Sequence, residues 1–291
     1  MSLTQFNLAI AEIRDDRASG ASELARRCLA ILADAARTLP AVDAADLRER
    51  LLALTDGLAL ARPSMAPIQN LLRRWREELN ADAGIEPALA RRSAAERAEA
   101  LIAASRRAVT ECAAHAARLL GPGRTVMTHS FSSTVVEVCR SLKDAGLRMI
   151  VTESRPLNEG GRLAERLSAW KVPAVYITDA QMGLFVARAD AVLVGADSVL
   201  ADGSVINKAG TGLLALAARE HRVPFYVCCE SFKWRAAEEP PPELEEMAPA
   251  ELGAPNWPGV TVRNVYFDLT PARLVSAWID ETGTREAGVG Q

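Results

Sequence analysis

Five short polar runs hold the residues of this sequence that are equipped for chemistry. Thr128-His129-Ser130-Phe131-Ser132-Ser133 sets hydroxyls and an imidazole directly before a helical stretch. Unpaired backbone N–H groups and the helix dipole favour an anion there. Thr152-Glu153-Ser154-Arg155-Pro156 and Asn207-Lys208-Ala209-Gly210-Thr211 add an arginine and a lysine able to neutralise a phosphate, the arginine in bidentate fashion. Gly195-Ala196-Asp197 closes an apolar run, so the aspartate is partly desolvated, which is the setting of an acid–base group. Glu230-Ser231-Phe232-Lys233 brings a further carboxylate and lysine. Such a set suits a phosphorylated, hydroxyl-bearing ligand: cations and small donors for phosphate, carboxylates for hydroxyls. Each run also has a plainer reading. A serine before a helix caps it, a strand-end aspartate makes a turn, and His129 is either a hydrogen-bonded core residue or a catalytic one.

The elements that must position these runs follow from hydrophobic spacing. Helical periodicity runs from Ala21 to Leu39, with Ser22 as a candidate cap, then over Asp43–Leu60, Pro67–Leu79 and Ser93–Leu120. After Gly121-Pro122-Gly123 the pattern changes. Strands are expected at Thr125–Thr128, Arg148–Thr152, Ala174–Thr178, Ala191–Val194 and Pro224–Cys228, alternating with helices at Ser133–Asp144, Gly161–Trp170, Gln181–Ala187 and Gly210–Glu220. That alternation predicts right-handed βαβ units and a parallel sheet. Ligands of such sheets bind outside the carboxyl ends of the strands, where four of the five polar runs fall; the Asn207 run lies between the last two strands, at the start of a helix. An acidic, proline-rich surface excursion follows Trp234, then a strand at Asn264–Phe267 and a helix from Pro271. The expected fold is α/β: a helical N-terminal domain over residues 1–120 and a Rossmann-like parallel-sheet domain over 121–291.

Composition narrows the function. The 34 basic and 37 acidic residues leave a net charge of -3, so non-specific nucleic-acid binding is not expected. Five cysteines without paired metal-ligand spacing, and no signal-peptide pattern at the N-terminus, point to reduced thiols in the cytoplasm. Three histidines give little with which to build a metal site, and no apolar run is long enough to span a bilayer. Neither a Walker A loop nor a G-x-G-x-x-G opening a helix is present. No redox cofactor and no metal is implied.

The ordered series Thr128-His129-Ser130-Phe131-Ser132, Val151-Thr152-Glu153-Ser154-Arg155-Pro156, Gly195-Ala196-Asp197, Ile206-Asn207-Lys208-Ala209-Gly210-Thr211 and Glu230-Ser231-Phe232-Lys233 resembles a known superfamily. It is that of ribose-1,5-bisphosphate isomerase, methylthioribose-1-phosphate isomerase and the alpha, beta and delta subunits of eukaryotic initiation factor 2B. The likeness extends to Ser19-Gly20-Ala21-Ser22, Ala61-Arg62-Pro63-Ser64 and Phe267-Asp268-Leu269-Thr270-Pro271. The resemblance implies a helical N-terminal domain whose loops close over a Rossmann-like domain, and assembly through the latter into a homodimer or higher homo-oligomer. In the isomerases of this superfamily, a cysteine after the first strand and an aspartate after the fourth form the acid–base pair that turns a sugar 1-phosphate into a ketose. Carried over by position, Asp197 is the catalytic aspartate, and Arg62, Ser132, Arg155, Asn207, Lys208 and Lys233 contact the substrate. Gly20 and Ala21 match the loop that meets phosphate.

Two departures bear on activity. Ser130 stands at the cysteine position, and a hydroxyl does not ionise near neutral pH as a thiol does. It can hydrogen-bond the substrate, or relay a proton with help from His129 or a water. Ser19 stands where the bisphosphate isomerase has an arginine, with Arg17 two residues earlier. Cys228 or Cys229, at the end of the fifth expected strand, is a candidate for the absent thiol, though an inert core cysteine is the commoner case. Two functions follow. One is an aldose–ketose isomerase acting on ribose 1,5-bisphosphate or a similar sugar 1-phosphate, with Asp197 and Ser130 as its catalytic pair. The other is a non-catalytic sugar-phosphate or nucleotide sensor, or a regulatory subunit resembling the alpha subunit of initiation factor 2B.

Overall fold

The computed structural model describes residues 3–80, 86–239 and 242–286. They fall into two compact units, residues 1–107 and 108–291. The first is helical: α1 (Leu3–Asp15), α2 (Ala21–Thr38), α3 (Ala44–Ala59), α4 (Ala66–Asn80) and the start of α5 (Pro87–Leu120). The face of α2 carrying Leu24, Cys28, Leu29 and Leu32 is fully buried, as the 3.6-residue spacing requires. α3 opens on Asp43, whose side chain accepts from the Asp46 N–H. The expected cap at Ser22 is not found. Gly20 is the N-cap of α2, and Ser22 lies inside the helix, buried, its hydroxyl without a hydrogen-bond partner. The turn before α2 is tied instead by Asp16, whose carboxylate accepts from the Ala18 N–H at 2.8 Å and the Ser19 N–H at 2.6 Å.

The second unit contains β1 (Thr125–Thr128), α6 (Ser133–Leu142), β2 (Arg148–Thr152), α7 (Glu159–Ala169), β3 (Ala174–Ile177), α8 (Met182–Phe185), β4 (Ala191–Val194), β5 (Ser198–Val199), β6 (Val205–Lys208), α9 (Thr211–Glu220), β7 (Phe225–Cys228), β8 (Phe267–Thr270), β9 (Ala277–Asp280) and β10 (Gly283–Glu286). The main sheet runs β10-β9-β7-β4-β1-β2-β3, parallel except at the β9–β10 hairpin. The chain winds outward from β1 to β2 and β3, then crosses back to place β4 on the other side of β1. This reversal opens a crevice beyond the carboxyl ends of β1 and β4. Central strands are apolar on both faces: Val126, Met149, Val151 and Leu193 pack on one side, and Met127, Ile150, Val192 and Val194 on the other.

The tail departs from expectation. There is no helix from Pro271: one 3-10 turn at Ala272–Leu274 leads into β9, which pairs parallel with β7, and then β10. Trp278 is buried and donates its indole N–H to the Gly203 carbonyl, an anchor that a helix here would lose. The strand expected at Asn264–Phe267 lies at Phe267–Thr270 and pairs antiparallel with β6 in a separate β5-β6-β8 sheet. Asn264 is occupied otherwise, donating to the Ala248 carbonyl and to Glu251.

Candidate functional site

The loop after β1 is drawn into shape by a hydrogen-bonded chain. His129 is buried, with Nε2 at 2.9 Å from the Ala209 carbonyl and Nδ1 at 2.6 Å from Oγ1 of Thr152. A carbonyl only accepts, so Nε2 carries the proton and Nδ1 accepts from the Thr152 hydroxyl. Burial holds the imidazole pKa below its ordinary value, which keeps the ring neutral. Oγ of Ser154 lies 3.0 Å from Oγ1 of Thr152 and accepts the Ser130 N–H at 2.7 Å. His129 is thus the hydrogen-bonded core residue of its plainer reading, and it locks β1, β2 and the β6–α9 turn together.

Backbone geometry at this turn is unusual. Ser130 and Ser154 both lie in the left-handed region, at φ 68° and 62°. For non-glycine residues that costs on the order of 1–2 kcal/mol each, and the hydrogen bonds hold both in place. Asp179 ties the second loop, accepting from the Ser154 N–H and the Arg155 N–H at 2.8 Å each. Gly210, at φ +109°, passes beneath His129; a Cβ there would sit 2.9 Å from Nε2. Its N–H and that of Gly212 donate to Oδ2 of Asp268, at 2.7 and 3.0 Å, at the start of α9. Burial raises the Asp268 carboxyl above the usual range.

Ser130, Ser132, Asp197, Asn207, Lys208 and Lys233 all belong to the second unit and gather around the crevice. The Ser130 hydroxyl donates to Oε2 of Glu159 at 2.7 Å, and Oε1 of the same carboxylate pairs with Nζ of Lys208 at 3.1 Å. Lys208 is buried, its ammonium 4.0 Å from the Tyr266 ring centroid. Ser132 caps α6, accepting from the Val135 N–H at 3.4 Å, and leans over Gly195, where a Cβ would approach its Oγ to 2.5 Å. The ends of β1 and β4 therefore touch. Asp197 is half-buried, and its N–H donates to the Ile206 carbonyl at 2.9 Å, which couples it to β6. Asn207 is buried and donates to Oγ1 of Thr211 at 3.0 Å. Lys233 is buried beside the same rim, hydrogen-bonded to the Ala196 carbonyl and 3.9 Å from Glu230.

Arg155 is exposed, and its guanidinium donates to the Leu252 carbonyl at 3.0 Å, within the proline-rich excursion. Gly20, Ala21 and Arg62 belong to the first unit. Gly20 and Ala21 open α2, and buried Arg62 donates to the Asp16 carbonyl at 3.0 Å. Cys228 and Cys229 are wholly buried, and burial pushes the Cys229 thiol up to about 12 and that of Cys228 upward as well. Both are thiols at neutral pH, so neither supplies a thiolate. Among the described residues no cluster of three or more His, Cys, Asp or Glu could hold a metal ion, and no helix is long and apolar enough to cross a membrane. Glu159 is the site residue that sequence reasoning missed; an acidic residue in a helix's first turn has an ordinary explanation in the helix dipole.

Comparison with known proteins identifies the family and the fold. The model of the initiation factor 2 subunit family matches residues 17–287. A translation initiation factor eIF-2B subunit 2-like protein of Pyrococcus horikoshii is 37% identical, over 94% of this chain and 93% of its own. A ribose 1,5-bisphosphate isomerase of Pyrococcus furiosus is 30% identical, over 94% of this chain and 87% of its own. The crystal structure of a Pyrococcus horikoshii translation initiation factor eIF-2B superposes with a TM-score of 0.82 at 34% identity, covering 96% of both chains.

Proposed function

The chain belongs to the initiation factor 2 subunit family, and from that premise we propose that it is a sugar-phosphate-binding protein that works as an aldose–ketose isomerase on ribose 1,5-bisphosphate or a similar sugar 1-phosphate. A relative named ribose 1,5-bisphosphate isomerase, matched over nearly its whole length, supports this choice of chemistry. The observation that carries it is the convergence at the β1–β4 crevice of half-buried Asp197 with Ser130, Asn207, Lys208 and Lys233. Asp197 is the acid–base group, Ser130 its hydroxyl partner, and Ser132, Arg155, Asn207, Lys208 and Lys233 bind the substrate. The cations present in the site are suited to phosphate without a metal. The enzyme acts as a cytoplasmic homo-oligomer. Exposed Leu184, Leu213, Leu216 and Leu269, on α9 and on the α8 and β8 that each pack against it, support a second copy as the cover of these leucines.

The test is a phosphorus NMR time course with ribose 1,5-bisphosphate. Wild type should produce ketose bisphosphate signals, and Asp197→Asn should reduce the rate by at least ~100-fold, the range for losing an acid–base group. The second reading, a non-catalytic sensor or regulatory subunit, is favoured by one observation: the relative at 37% identity bears an initiation-factor name. An unchanged spectrum together with calorimetric binding of the sugar phosphate would select it.

A further inference from the structure

Ser130 has a feature that its own chemistry does not explain. Its hydroxyl is committed as a donor to Glu159 at 2.7 Å, so its lone pairs face away from that carboxylate. Glu159 in turn is fixed by Lys208, at 3.1 Å, on its other oxygen. This is the arrangement of a hydroxyl with an adjacent base, and of a base oriented by a third group. Both anchors are secluded: the Lys208 side chain is 5% exposed and that of Glu159 16%. The ammonium also lies against the Tyr266 ring, which fixes its position.

The backbone is built to deliver this carboxylate. Glu159 opens α7 directly after Asn158, a left-handed residue at φ 54°, and its N–H reaches back to the Ser154 carbonyl at 3.3 Å. The next residue, Gly160, lies so close to β2 that a Cβ would fall 1.8 Å from the Thr152 carbonyl oxygen. Ser130 meets the helix from the other side in its own left-handed turn. Neutral His129 adjoins the pair without competing for the proton: its one N–H is taken by Ala209, and its acceptor nitrogen by Thr152.

We propose that Glu159 is the proton acceptor of Ser130, the two forming a relay that serves as the second acid–base element opposite Asp197. The proposal rests on the isomerase reading above. As Oγ of Ser130 takes the proton of the sugar's C2 hydroxyl, its own proton crosses to Oε2 of Glu159. Asp197 gives a proton to the ring oxygen as the ring opens, so the site's proton count is unchanged, with Glu159 neutral and Asp197 ionised. The C1–ring-oxygen bond breaks, hydride moves with its electron pair from C2 to C1, the deprotonated C2 oxygen becomes the ketone, and water re-equilibrates the two carboxyls after product leaves. No oxidant or further reactant enters. Glu159 acts through Ser130 and is therefore a positioning and relay residue.

The test uses the full chain and the phosphorus NMR assay with ribose 1,5-bisphosphate. Glu159→Gln keeps the shape but accepts no proton; kcat should fall ~100-fold with KM within about threefold, the signature of a group used only in the transition state. Ser130→Ala, which leaves the Glu159–Lys208 pair in place, should lose the same factor and carries the test should Glu159→Gln not fold. The discriminating experiment is rescue: Ser130→Cys added to Glu159→Gln supplies a thiol that ionises unaided and should regain at least tenfold. A purely structural role for Glu159 gives no such rescue. The relay is overturned if Glu159→Gln or Ser130→Ala keeps kcat within twofold, if the loss lies in KM, or if the thiol restores nothing. Wild type without turnover removes the isomerase reading and the relay with it, whereas an active wild type beside an equally active Glu159→Gln removes the relay alone.

Discussion

Replacing Gly160 with alanine tests the structural logic of the site without touching a functional side chain. The added Cβ would lie 1.8 Å from the Thr152 carbonyl oxygen, 3.0 Å from its carbon and 3.3 Å from the Glu153 oxygen. A tolerable carbon–oxygen approach is about 3.3 Å, so the first turn of α7 has to retreat by about 1.5 Å. That retreat stretches the Gly160 N–H to Glu153 bond, now 3.1 Å, and the Glu159 N–H to Ser154 bond, now 3.3 Å. Losing two hydrogen bonds costs about 1–3 kcal/mol together, and forcing extra volume into a packed junction about 1–3 kcal/mol more. The expected loss is therefore about 2–6 kcal/mol, read from urea unfolding followed by circular dichroism. Gly183→Ala is the control: it lies in α8 with nothing within 4 Å of its added Cβ, and should change stability by under about 0.5 kcal/mol. If Gly160→Ala unfolds within 1 kcal/mol of wild type, the close approach of α7 to β2 is not what holds Glu159 in place.

His129 should make stability depend on pH on the acid side. Its folded pKa is depressed by burial, so below the unfolded value of about 6.5 the unfolded chain binds a proton that the folded one refuses. Stability is then full above that value and falls as pH drops toward the folded pKa, by up to about 1.4 kcal/mol per pH unit. Urea midpoints at pH 7.0 and 5.5 for wild type and His129→Gln check this, and an equal decline in both would refute it. The exposed leucines of α9 give the oligomer prediction: Leu213→Glu with Leu216→Glu should halve the mass seen in sedimentation, because each leucine buried contributes about 1.5–3 kcal/mol and a buried charge reverses that gain. A monomeric wild type would dispose of the self-association reading.

The central α/β frame was legible because each parallel strand is a short apolar run ended by polar residues, and each helix repeats its apolar positions at 3.6. Thr125–Thr128, Arg148–Thr152 and Ala191–Val194 are found as expected. The tail was not legible for a physical reason. Leu274, Val275 and Trp278 have helical spacing, yet the free edge of β7 offers a row of backbone partners, and Ala277–Asp280 takes them as a strand. The β5–β6 hairpin escaped notice because β5 is only two residues long and borrows its register from β6 and β8. At the site, Ser130, Ser132, Asp197 and Lys233 were singled out by their places after expected strands, whereas Asn207 and Lys208, read as the approach to a helix, are the last two residues of β6. Glu159 was not, because its meaning arises only when β6 brings Lys208 against the first turn of α7. His129 was readable as a polar residue in an apolar setting, but its role as a three-way clasp needed Thr152 and Ala209 in space.

The two buried cations of this rim are matched from within, Lys208 by Glu159 and Lys233 by Glu230, while the exposed Arg155 guanidinium donates to the Leu252 carbonyl and keeps its charge. A rim arranged this way leaves the long-range pull on an approaching dianion to exposed charges such as Arg155, not to its buried, paired lysines. Capture becomes an exchange in which the ligand trades its hydration for contacts the protein already makes to itself. Salt then acts on the encounter through exposed charges such as Arg155, and selectivity resides in how well a ligand replaces the internal partners of the buried lysines rather than in how much charge it carries.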